Sequence, residues 1–77
     1  MDKEVFGQVL RDYRLKKKLT QERLAEMAEL HHTYIYRMES GLREPSLGIF
    51  IKLIECLGIS SDEFLSNYKK QLRKSKK

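Results

Sequence analysis

The chain has 77 residues and a mass of 9.2 kDa, enough for one small domain with one core, because a chain of this size buries only about 60% of its unfolded surface. Sixteen Lys and Arg against 11 Asp and Glu give a net charge of +5, yet 40% of the residues are hydrophobic, too many for a disordered polycation. Size alone excludes most enzymes, and no apolar run exceeds three residues (Ile49-Phe50-Ile51), far short of the roughly 18 that a membrane span requires.

Met1-Asp2-Lys3-Glu4 lacks the basic-then-apolar opening of an export signal, so the expected compartment is the cytoplasm. The single cysteine, Cys56, excludes an internal disulfide and suits a reducing environment. Charge is unevenly spread. Residues 66–77 carry six basic groups (Lys69, Lys70, Arg73, Lys74, Lys76, Lys77) and no acid, whereas the other 65 residues carry 10 basic and 11 acidic groups. The chain therefore reads as a near-neutral domain over 1–66 with a basic C-terminal extension over 67–77, plus one internal basic cluster, Arg14, Lys16, Lys17 and Lys18. A basic tail binds any polyanion and so says little by itself.

Phe6, Val9, Leu10 and Tyr13 recur at helical spacing and predict a first helix over about 3–17. Thr20 is placed to cap a second, over about 21–28, with Leu24, Ala25 and Ala28 inward. After the connector Glu29-Leu30-His31, a third helix over about 32–40 buries Ile35 and Met38, and Gly41 supplies the left-handed exit. Pro45-Ser46 stops the loop and caps a fourth helix over about 47–57, ended by Gly58. Ser60 with Glu63 has the capping-box pattern for a fifth helix carrying Phe64, Leu65, Tyr68 and Leu72. The fold class is all-α, five short helices and no strand.

Two short helices joined by three residues, the second amphipathic, have the helix-turn-helix pattern that lays one helix in a DNA major groove. With Ile35 and Met38 inward, His32, Thr33, Tyr36 and Arg37 form a polar face. Arg37 can grip guanine through two bonds, Thr33 can donate, accept or touch a thymine methyl, and His32 can donate to a purine N7.

The stretch Leu19-Thr20-Gln21-Glu22-Arg23-Leu24-Ala25, followed by Tyr34-Ile35, Met38-Glu39-Ser40-Gly41 and Pro45-Ser46-Leu47, resembles the Cro/phage-repressor type of helix-turn-helix domain, the xenobiotic-response-element family of regulators. The resemblance covers residues 6–65, and His32-Thr33-Tyr34-Ile35 is similar to the small controllers of restriction-modification operons. It implies a five-helix lambda-repressor-like domain that binds double-stranded DNA as a homodimer and regulates transcription from an inverted repeat. It further implies that His32 and Thr33 lead the base contacts and that Tyr36 and Arg37 read deeper in the groove. Gln21, Tyr34, Ser40 and Arg43 are then assigned to the DNA backbone, with Lys17 and Lys18 as further phosphate partners. Arg14 and Glu39 match the family's structural ion pair, which ties the first helix to the end of the third. Three departures stand out: Glu29 where the family has a turn Gly, His31 where it has a Ser or Thr cap, and Lys18 where Gly is common. Glu29 implies a non-Gly residue at positive φ, and His31 implies a weakened cap.

At 100° per residue, Leu47, Phe50, Ile51, Ile54 and Leu57 fall on one arc of the fourth helix, the expected core. Ile49 and Cys56 lie nearly opposite, with Leu53 at the border, and with Tyr68 these form the expected dimer interface. The other expectation for Ile49 and Cys56 is cover from the fifth helix and tail. Rival functions fare worse. Adjacent histidines point to different sides and make no metal pair, and there is no nucleophile motif or phosphate loop, so neither an enzyme, a cofactor nor a small-molecule substrate is expected. A protein-interaction module of the same fold, an antitoxin or anti-repressor, is the alternative.

Overall fold

The computed structural model describes residues 1–75, so Lys76 and Lys77 of the basic tail lie outside the described residues. Five helices follow in order: α1 Lys3–Lys16, α2 Gln21–Met27, α3 His32–Glu39, α4 Leu47–Leu57 and α5 Ser61–Ser75. α5 runs unbroken past residue 66, so the described part of the basic extension is helical. The described residues contain no strand.

Four of the five starts are capped by a short side chain that accepts a free backbone N–H of the first turn. Asp2 Oδ1 accepts Val5 N–H at 3.1 Å, Thr20 Oγ1 accepts Arg23 N–H at 2.9 Å, and Ser46 Oγ accepts Ile49 N–H at 3.2 Å. Ser60 Oγ accepts Glu63 N–H at 3.1 Å in the same way. The ends are equally uniform: α1 to α4 each close with a paired left-handed turn, for example Lys18 N–H to Leu15 O and Leu19 N–H to Arg14 O at 2.9 and 3.1 Å. The left-handed residue is Gly41 after α3 and Gly58 after α4, but Lys18 and Glu29, both at φ 58°, after α1 and α2. A side chain there costs roughly 1–2 kcal/mol, which packing on both sides must offset.

α1 is central, packed on α3 and α5, while α2 lies on α3 and α4 spans α2 and α5. The core joins Phe6, Val9, Leu10, Leu24, Ile35, Met38, Leu53, Leu57 and Phe64. Phe6, Phe50 and Phe64 meet at ring-centroid distances of 5.2–6.2 Å, and Tyr13 stacks on Phe64 at 5.8 Å. Gly7 sits where α1 crosses the end of α3: a Cβ there would lie 2.2 Å from the Met38 carbonyl oxygen and 2.9 Å from that of Glu39. Only a residue without a side chain permits that crossing.

α4 corrects the sequence-based expectation. Its buried stripe is Leu53, Ile54 and Leu57 with Phe50 half-buried, and Leu53 is 1% exposed, so it belongs to the protomer's own core rather than to an outer face. Leu47 and Ile51, expected inside, are 74% and 44% exposed. An apolar arc is centred on every apolar residue of a helix, including those the protomer leaves uncovered, and these pulled the arc away from the true inner face. Ile49 and Cys56 are half-buried against the core. The uncovered apolar surface is instead a groove lined by Met1, Leu47, Phe50, Leu65 and Tyr68, floored by Phe6 and Phe64. Tyr68 also ties the chain start to α5, its Oη accepting Asp2 N–H at 2.8 Å.

Candidate nucleic-acid interface

Between α2 and α3, Glu29 turns the chain and Leu30 packs on the core, so α3 leaves at an angle fixed from below by Ile35 and Met38, both fully buried. Of the other side chains before Glu39, His32, Tyr36 and Arg37 are exposed and Thr33 and Tyr34 half-buried. Arg37 makes no ion pair with any described residue. Thr33, Tyr34, Arg37 and Arg43 line one open cleft, with His31 at its edge. The Arg43 guanidinium lies over the Tyr34 ring, 4.6 Å from its centroid, which holds both at the cleft wall.

The far end of α3 is locked. Arg14 Nε and Nη2 donate to Glu39 Oε2 and Oε1 at 2.6 and 2.9 Å, and Arg14 Nη1 donates to the Leu19 carbonyl at 2.7 Å. The pair is nearly dry, with side-chain exposures of 9% and 4%, and the bond to Glu39 holds Arg14 above the usual guanidinium range. Glu39 Oε1 also accepts Gln21 Nε2 at 3.1 Å. Sequence reasoning placed Gln21 on the backbone-contacting edge but missed this bond, which fixes the amide's nitrogen and leaves its oxygen outward. Gly7 was also missed; its one signal was a lone glycine inside a helical repeat.

The structure does not gather every candidate. Ser40, the C-cap of α3, opens onto a different hollow beside Glu4, Gln8, Arg11 and Glu39, away from the cleft. Lys17 extends towards the end of α4, its Nζ 4.0 Å from the place a Gly58 side chain would occupy, where it complements the carbonyl end of that helix. Lys16 lies over the Tyr13 ring at 5.4 Å, and Lys18 is exposed at the left-handed exit of α1. His31, expected as a weak cap, does cap α3: its Nδ1 accepts Thr33 N–H at 3.1 Å. No group of three metal-ligating side chains forms among the described residues, and no helix is long and apolar enough to cross a membrane.

A capped two-helix unit with its second helix exposed on a five-helix body defines a helix-turn-helix protein, and residues 10–64 match that family: the chain belongs to it. Within it, the chain is similar to restriction-modification controllers. It is 40% identical over 62 residues to control protein C.BamHI of Bacillus amyloliquefaciens, covering 79% of this chain and 76% of that one. The crystal structure of the controller C.AhdI from Aeromonas hydrophila superposes with a TM-score of 0.78 at 40% identity, over 82% of this chain and 96% of that one. The controller C.Esp1396I, solved as a tetramer on its natural 35 base-pair operator, gives a TM-score of 0.81 at 28% identity, over 88% and 90% of the two chains.

Proposed function

We propose that this chain is a transcriptional regulator that recognises an inverted-repeat operator as a homodimer, in the manner of restriction-modification controllers, and works in the cytoplasm without cofactor or catalysis. The observation carrying this reading is α3 itself: Arg37 exposed and, among the described residues, unpaired, flanked by Thr33, Tyr34 and Arg43 in one cleft, on a helix whose far end is locked by Arg14 and Glu39. His32, Thr33, Tyr36 and Arg37 read bases. Gln21, Tyr34, Arg43 and Lys18 hold the sugar-phosphate edges, while Ser40 and Lys17 contribute little.

Self-association uses the uncovered groove, with Leu47, Leu65 and Tyr68 at its centre and Ile49 and Cys56 marginal. Exposed apolar side chains grouped on a small charged protein mark an association surface. A two-fold dimer would set two reading helices about 34 Å apart, one turn of B-DNA.

Selection of duplexes from a random pool tests the reading, with an enriched palindrome as the expected result. Arg37→Ala should cost about 1–3 kcal/mol on the selected duplex and relax one base position. An unenriched pool would favour the protein-interaction module, and unchanged discrimination by Arg37→Ala would remove the base-reading role.

A further inference from the structure

His31 is chemically distinctive and has no role in the reading above. It precedes α3 in extended backbone, φ −70° and ψ 142°, with Nδ1 accepting Thr33 N–H at 3.1 Å. An imidazole that accepts through Nδ1 has no proton there, so neutral His31 is the Nε2–H tautomer. The ring stacks on His32, centroids 4.5 Å apart and planes at 27°. This cap restrains the start of α3 where packing is thinnest, because His31 and His32 are exposed and Thr33 is half-buried, and the first side chains packed on the core are the half-buried Tyr34 and the fully buried Ile35.

We propose that His31 is the positioning residue of the reading helix: neutral, it caps Thr33 N–H and orders the turn that presents His32 and Thr33, and protonated it releases that turn. The inference rests on the DNA-reading role of α3. A proton on Nδ1 would set donor against donor at Thr33 N–H. It would also place a cation at the positive end of the helix, beside His32, Arg37 and Arg43. No carboxylate pairs with His31 or His32 among the described residues: Glu29 lies 3.7 Å from Lys52, and Glu26 is bonded to Arg23. Added charge would raise affinity for every duplex alike through the phosphates. Loss of the turn would weaken most the duplex whose bases are read. Discrimination, the ratio of the two affinities, therefore falls when His31 takes up a proton.

The test uses the full chain, a duplex it enriches from a random pool at about pH 8, and a shuffled duplex of equal length, with binding followed by fluorescence anisotropy down to about pH 5. Wild type should lose about threefold to tenfold in discrimination, the fold-change of a lost cap. His31→Asn keeps an acceptor at the cap but does not titrate, and should hold the high ratio flat across the range. His31→Ala should be low and flat. The proposal is overturned by a flat wild-type ratio, or by acid raising both affinities with the ratio unchanged. A pH dependence that persists in His31→Asn would also overturn it, by assigning the titration to His32. If His31→Ala does not fold, His31→Asn alone decides. A pool that yields no enriched duplex defeats the DNA-reading role itself, a failure distinct from a flat profile on an enriched one.

Discussion

Replacing Glu39 by Gln removes the carboxylate on which three donors converge, Arg14 Nε at 2.6 Å, Arg14 Nη2 at 2.9 Å and Gln21 Nε2 at 3.1 Å. The amide keeps the volume but offers one oxygen where there were two, and its NH2 faces a donor. The Arg14 charge stays behind, enclosed between α1 and α3. A buried charge left without its partner costs about 3–5 kcal/mol. Arg14 keeps its bond to the Leu19 carbonyl at 2.7 Å, so the lower end, about 3 kcal/mol, is expected. At about 4–8 °C per kcal/mol for a domain of this size, Tm should fall by roughly 12–24 °C. Circular-dichroism melts and urea titration measure this, and the paired apolar change Arg14→Met with Glu39→Leu should recover most of the loss by removing both charges together. A single-variant loss under about 1 kcal/mol, the worth of a surface pair, would refute the locking role.

Gly7→Ala should destabilise by about 2 kcal/mol in urea titration: the added methyl meets backbone oxygens that cannot rotate aside, which outweighs the roughly 1 kcal/mol that Ala gains in a helix. Glu29→Gly should gain about 1 kcal/mol, since it relieves a positive φ at the loss only of an exposed 3.7 Å pair with Lys52. Lys18→Gly should gain similarly in thermal melts yet bind duplexes more weakly with a shallower salt dependence. Cys56 should react slowly with iodoacetamide at about pH 8, because burial, and then Glu55, push its thiol above the usual range and keep the thiolate scarce. Fast alkylation of the folded chain would contradict the observed packing of α4.

The helices were legible because their punctuation is chemical: Thr20, Ser46 and Ser60 accept first-turn N–H groups, and Gly41 and Gly58 permit left-handed exits. The ion pair was legible only through the family pattern, since Arg14 and Glu39 lie 25 residues apart and spacing alone cannot join them. The inner face of α4 was misread for a related reason. Periodicity separates apolar from polar but not core from association surface, and Leu47 and Ile51 carry no mark distinguishing them from Leu53. Three-dimensional proximity hid the rest: the bond from Gln21 to Glu39, the crossing at Gly7, and the diversion of Lys17 and Ser40 from the cleft.

The division of labour on α3 has an evolutionary corollary. Its outward residues at 32, 36 and 37 have no ion-pair partner among the described residues, whereas the frame is held by Arg14, Glu39 and Gln21 behind them. Exchanges at such exposed positions usually change stability by no more than about 0.5 kcal/mol. On the proposed reading, in which these residues contact bases, preference for one duplex over another can thus drift, or be redesigned, almost independently of whether the chain folds.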